Sequence, residues 1–308
     1  MTLLFISLGL FLLINIFRIV LPFAVINRIA NKPVSFREIH KPEDFNLETV
    51  HFFVTTDDGL KISGYEVKAD DPAAIVICHS GMHYPSSTAY MGHARLFREN
   101  GFGTVFFDMR AHGESEGDMI CMGYREHLDT KAIVNYIRTK PEYGNIPVIA
   151  MGLSLGASTA IIATGEIPEI KGLISLSAFS SWEDIFCDKM NAYSPAFFTR
   201  LEKPLVILSA RVKYRVDCRV INPITGIRKL GSRPALLMHS TDDSEVPFEN
   251  FKRLISHAPS HVETFIRQGD SHLIVNGRFT EPEKDPEYVS VLISFLKRNF
   301  SSQPYHYQ

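Results

Sequence analysis

The sequence predicts an α/β domain, a mostly parallel central sheet flanked by helices. Three observations carry this expectation. From about residue 51 to residue 300, short apolar runs alternate with amphipathic stretches, the pattern left by strands and the helices that cover them. Hydrophobic residues make up 45% of the 308 residues and charged residues 21%, a balance that supplies a full core and excludes disorder. Lys+Arg 32 against Asp+Glu 34 leave a net charge of −2, which argues against a long basic groove and hence against nucleic acid as a partner.

Taken in order, the chain begins with an apolar segment. Thr2 to Phe17 contains no charged residue. At 1.5 Å per residue it reaches only about 24 Å, so crossing a hydrocarbon core of roughly 30 Å requires Arg18 and the run Ile19–Ile26 as well. Neither a positive leading region nor a small-x-small cleavage site is clear, so an uncleaved single-pass anchor over residues 1–30 is expected. The basic residues Arg18, Arg28, Lys32 and Arg37 follow the apolar run and place the globular part in the cytoplasm under the positive-inside rule. The alternative is an amphipathic segment resting on the bilayer or on the domain.

A linker is expected over 31–50, polar from about Asn31 to Asn46. His51–Thr55 and Leu60–Val67, joined through Asp57-Asp58-Gly59, read as a hairpin. Strands follow at Ala74–Cys78, Thr104–Phe107, Val148–Met151, Leu173–Leu176, Ala235–Met238 and Thr264–Ile266. Helices are expected at Thr88–Glu99, Tyr124–Arg138, Ala157–Thr164 and Val289–Arg298. The alternation fails over about 180–227, which predicts a helical cap inserted into a domain spanning 51–300, with a tail at 301–308. The cysteines Cys78, Cys121, Cys187 and Cys218 form no C-x-x-C pair and read as reduced thiols.

The chemistry centres on Gly152-Leu153-Ser154-Leu155-Gly156, which directly follows an apolar strand and precedes a helix of small residues. A serine on so sharp a turn has strained backbone angles, and bulky neighbours two residues away would collide with strand and helix. Gly113-Glu114-Ser115-Glu116-Gly117 matches the same string but follows a polar stretch and leads into no such helix, so Ser115 is assigned to a loop. A serine nucleophile needs an imidazole and a carboxylate to orient it. Asp242 and Asp243 follow the strand at Ala235–Met238, and His272 follows the strand at Thr264–Ile266, so the order Ser, Asp, His is complete.

These motifs resemble the α/β-hydrolase fold, and in particular the branch of serine aminopeptidases, monoglyceride lipases and small esterases. The branch's acid stretch maps onto His239, Ser240, Asp243, Val246 and Pro247, which favours Asp243 over Asp242. Its base stretch maps onto Gly269 and His272. Its early oxyanion turn corresponds to His79-Ser80-Gly81, with serine in place of a glycine, so that either Gly81 or Met82 joins Leu155 as the oxyanion amide. A family Asp-x-Arg-Gly-His-Gly-x-Ser stretch appears as residues 108–115, with Ala111 in place of a glycine, and accounts for the second match to the elbow string.

The resemblance implies a carboxylesterase-like or lipase-like serine hydrolase with Ser154, Asp243 and His272 as its triad. It implies no metal and no organic cofactor. The expected partner is a small acyl compound, lipids included. The same triad serves amides, thioesters and acyl transfer, and a catalytically silent scaffold is the reading from another class. His79, His239, His257, His261 and Asp270 are expected to be structural; His79 and His83 lie in a loop unsuited to a metal pair. Trp182, Phe186, Tyr193, Phe197 and Phe198 either line an acyl pocket or pack the cap. Between Arg200 and Lys229, bases outnumber acids by six, a patch facing either lipid headgroups or water.

Overall fold

The computed structural model describes residues 2–191 and 196–301. In chain order it forms α1 (Thr2–Ala30), β1 (Val50–Thr55), β2 (Lys61–Val67), β3 (Ile75–His79), α2 (Met91–Glu99), β4 (Gly103–Phe107), α3 (His127–Arg138), β5 (Val148–Leu153) and α4 (Leu155–Glu166). There follow β6 (Ile170–Leu176), α5 (Trp182–Asn191), α6 (Ala196–Tyr214), α7 (Pro223–Arg228), β7 (Ala235–Ser240), α8 (Glu249–His257), β8 (Glu263–Arg267) and α9 (Pro286–Phe300). The strands make one sheet in the order β1-β2-β4-β3-β5-β6-β7-β8. The β1–β2 and β2–β4 pairs are antiparallel, and every pairing from β4 to β8 is parallel.

The central strands β3, β4 and β5 are buried along their whole length, as expected of parallel strands covered on both faces. Alternate residues feed opposite layers. Ile75 and Ile77 enter the core shared with α3 and α4, whereas Val76 and Cys78 enter the core shared with α2 and α9, which is the period of two expected of a strand. The strand order reverses beside β3, since the chain leaves it for β4 on one side and returns to β5 on the other. A crevice forms at the carboxyl ends of strands at such a switch point, and there His79 pairs with Gly152.

Three departures from the expected elements have local causes. The helix expected from Tyr124 starts at His127, because the Glu126 carboxylate accepts from the amides of Cys121 and Gly123 and holds a turn in which Met122 and Gly123 have positive φ. The segment read as a linker is laid along the domain. Val34 exchanges backbone hydrogen bonds with Ala111 and Gly113, and Phe45 and Leu47 are buried.

Helix α1 divides into two parts. Its large apolar side chains from Phe5 to Val20 are exposed. Beyond them Pro22, Ile26 and Ala30 are buried, and Ile26 and Ala30 belong to the main core. Arg18 pairs with Glu202 of α6 at the junction. The run Ile19–Ile26, expected to complete a span, therefore ends inside the domain.

Candidate active site

The site is assembled at the carboxyl ends of β5, β7 and β8. Ser154 caps β5 with φ +55° and ψ −117°, a conformation that non-glycine residues adopt at a cost and retain only where the surroundings enforce it. The enforcement is visible on both sides. A Cβ on Gly152 would sit 2.2 Å from the Gly156 carbonyl oxygen, and one on Gly156 would sit 2.2 Å from the carbonyl oxygen of His79. The elbow is thus pressed against the end of β3, and the Ser154 amide donates to Leu176 O at 2.8 Å.

Asp243 follows β7 and His272 follows β8. The His272 Nδ1 lies 2.9 Å from Asp243 Oδ2 and 3.1 Å from Oδ1. Asp242 is exposed and receives a hydrogen bond from Thr241, so the structure joins His272 to Asp243. The backbone amides of Glu245 and Val246 donate to Asp243 Oδ1 at 2.9 and 2.8 Å. Burial raises the pKa of this carboxyl, but the hydrogen bonds from His272 and Val246 outweigh it and hold the group below the usual carboxylate range. A second anchor acts on the histidine's backbone, where Ser177 Oγ donates to the His272 carbonyl at 2.7 Å.

Ser154 and His272 line one cavity of about 410 Å³. Leu155 and Met82 also line it, together with Trp182 and Ile185 from α5. Gly81 stands one residue behind Met82, packed so closely on the Tyr84 carbonyl that a Cβ would approach it to 2.4 Å. Glu245 is at the rim, its Oε2 3.6 Å from His272 Nε2.

His79, His239, His257 and His261 are each held by a hydrogen-bonding neighbour. His79 is fully buried with Nδ1 2.8 Å from Met151 O and Nε2 2.9 Å from Thr130 Oγ1, and burial pushes its pKa down to about 4. His239 Nε2 lies 2.8 Å from Val246 O. His257 sits against Arg253 O at the end of α8, and His261 against Arg233 O. Asp270 accepts from the Ser244 amide, and His83 lines the cavity.

Ser115 is in a loop. Its Oγ donates to Asp108 O at 2.6 Å and accepts from the Ser63 amide at 2.9 Å. The surrounding motif works as scaffold: Arg110 bonds both Asp129 and Asp58, and His112 Nε2 lies 2.7 Å from the Met82 carbonyl oxygen, supporting the turn beside the cavity. In the cap, Trp182 and Phe186 face α1 and Phe197 is exposed; Tyr193 and the side chain of Phe198 lie outside the described residues. Of the basic patch, Lys203 pairs with Asp184, Arg219 with Asp217 and Lys229 with Glu166.

The contribution of Ile185, Ser177 and Glu245 had no signal in the sequence, since each arrives through packing of the cap or of neighbouring strand ends.

Comparison with known proteins agrees with the fold. Residues 70–215 match the serine aminopeptidase S33 family, a stretch that holds the elbow and ends before Asp243 and His272. The chain is 27% identical over 231 residues to the uncharacterized protein YqkD of Bacillus subtilis, covering 73% of each chain. It is 26% identical over 245 residues to protein ABHD12B of Homo sapiens, covering 70% of this chain and 64% of that one. Among solved structures, the Pyrococcus furiosus esterase Pf2001 aligns with a TM-score of 0.65 at 25% identity, over 88% of this chain and 98% of that chain. An acylaminoacyl peptidase of Pyrococcus horikoshii aligns with a TM-score of 0.61 at 17% identity, over 85% and 43%, a likeness of fold. By its strand order, its elbow and these matches, the chain has the α/β-hydrolase fold and is similar to the serine aminopeptidase and esterase branch.

Proposed function

We propose that the protein is a membrane-attached serine hydrolase that cleaves an acyl ester through an acyl-enzyme. The observation that carries the reading is the 2.9 Å contact of His272 Nδ1 with Asp243 Oδ2, with His272 and Ser154 in one cavity. With Nδ1 committed to the carboxylate, Nε2 is the nitrogen left to act as base.

Ser154 Oγ attacks the ester carbonyl carbon as His272 Nε2 takes its proton. The tetrahedral oxyanion is held by the amide of Leu155 together with that of Gly81 or Met82; one such donor contributes about 3 kcal/mol. Collapse breaks the carbon–oxygen bond of the leaving alcohol, which receives the proton from His272. Water then attacks the acyl-enzyme, giving its proton to the same nitrogen, and release of the acid returns the proton to Ser154.

Membrane attachment rests on α1, whose described residues Phe5–Ala30 are long and apolar enough to cross a bilayer, with mean hydropathy 2.3. The stretch Thr2–Val20 rises about 28 Å by itself, close to the hydrocarbon thickness. The Glu202 carboxylate offsets the charge of Arg18 at the boundary. The basic residues after the apolar run favour a cytoplasmic domain.

The deciding experiment is labelling of the full chain by a fluorophosphonate probe, alongside hydrolysis of a short p-nitrophenyl ester. Labelling and turnover are expected. A chain that neither labels nor turns over ester belongs to the silent-scaffold class.

A further inference from the structure

A second cavity, of about 430 Å³, lies between α1 and α5. Leu21, Val25 and Ile29, spaced by four along one face of α1, form one wall; Trp182, Ile185 and Phe186 of α5 form the other, and Lys189 is the single charged residue lining it. Trp182 and Ile185 also wall the cavity of Ser154 and His272. The reacting centre and the apolar groove therefore adjoin at Trp182 and Ile185.

We propose that this groove is an acyl-chain subsite of the Ser154 centre, occupied by the hydrocarbon tail of a lipid ester, so that the membrane-directed helix is itself a wall of the substrate site. The inference rests on the hydrolase reading given above. Two features commit the groove to a lipid tail. Its lining offers nothing to a polar ligand apart from one ammonium, and a cavity of this kind takes up hydrocarbon. The surface around it is also of the kind that meets lipid. Exposed apolar side chains run along α1 from Phe5 to Val20, and α6, packed beside α1, exposes Leu201, Leu208 and Val212 on one face. Arg200, Arg211 and Arg215 are exposed on that helix and just beyond its end, where anionic headgroups would meet them. A lipid entering from the bilayer slides its tail between α1 and α5 while its ester reaches Ser154.

The test uses the full chain in phosphatidylcholine vesicles with p-nitrophenyl acetate and p-nitrophenyl dodecanoate. In the native protein kcat/KM rises with chain length by roughly threefold to fourfold for each methylene that enters the groove. Val25→Phe and Leu21→Phe, which fill the groove from the α1 side, lower the dodecanoate-to-acetate ratio of kcat/KM at least tenfold. Val25→Ala enlarges it and moves the preferred chain to greater length, giving a result of opposite sign should the larger residues disturb folding. A native preference for acetate, or a ratio that none of the three variants moves, overturns the groove while leaving acetate turnover and the hydrolase reading in place. Absence of acetate turnover in the native protein removes both.

Discussion

The chain carries the pattern Gly-x-Ser-x-Gly twice, and the two copies end in different physical situations. At 152–156 the serine is forced to φ +55° between two glycines that touch backbone, with its side chain facing a cavity. At 113–117 the serine bridges Asp108 and Ser63, tying a loop to β2. The difference teaches that the pattern specifies nothing by itself. A strand that ends abruptly and a helix that starts at once convert it into a nucleophile elbow; a polar loop converts it into a clamp.

The sharpest way to break that comparison is to remove each hydroxyl. Ser154→Ala is expected to lower kcat/KM for a short ester by roughly 10⁴- to 10⁶-fold and to abolish fluorophosphonate labelling. Ser115→Ala should keep the rate within about threefold but lower stability by about 1–2 kcal/mol in urea unfolding, because the Ser63 amide loses its acceptor. Labelling that persists without Ser154 would exchange the roles assigned to the two copies.

Next in size are the adjacent carboxylates. Asp243→Asn should reduce the rate by roughly 10⁴-fold, since an amide facing Nδ1 favours the wrong imidazole tautomer. The same change at exposed Asp242 is expected to stay within tenfold. A larger loss at Asp242, measured in the same assay, would reassign the acid.

How much of this was legible in the sequence depended on how local the cause was. The elbow was legible because its constraint acts within two residues, through Gly152 and Gly156. The choice between Asp242 and Asp243 needed the family resemblance, because it depends on which side chain the turn after β7 directs inward. The position of Ile185 on the cavity was not legible, nor which of the two uses offered for Trp182 the fold selects, both being set by how the cap settles on the sheet. Nor was the division of α1. A helix apolar on every side gives no periodicity from which to tell which turns dock and which stay outside.

A smaller effect sharpens the comparison from below. The elbow rests on His79, buried and neutral with a pKa of about 4, whereas an unfolded histidine titrates near 6.5. Protons therefore bind the unfolded chain first as pH falls. The stabilisation from keeping His79 neutral is complete above pH 6.5 and is lost progressively toward pH 4, amounting to about 3 kcal/mol. Urea unfolding at pH 7.5 and 4.5 should show this decline. His79→Gln, which cannot titrate, should make the decline shallower by about 2–3 kcal/mol; an unchanged slope would mean that the imidazole is charged in the folded protein.

The smallest expected effect concerns α1, whose two parts differ as the two serines do: one is held by the domain and the other is not. A chain beginning at Arg18 keeps the Glu202 pair, the wall formed by Leu21, Val25 and Ile29, and the buried Ile26 and Ala30. It is expected to hydrolyse the acetate ester within about twofold of the full chain while losing retention on vesicles in high salt, since apolar insertion is not screened by ions. A chain beginning at Asn31 removes Ile26 as well, and burial of a side chain of that size contributes about 1.5–3 kcal/mol. Its melting temperature should fall well below that of the chain beginning at Arg18. Equal melting temperatures for the two would show that residues 18–30 add nothing to the fold, and the boundary between anchor and domain would then return to residue 30, where the polar composition of the following segment first placed it.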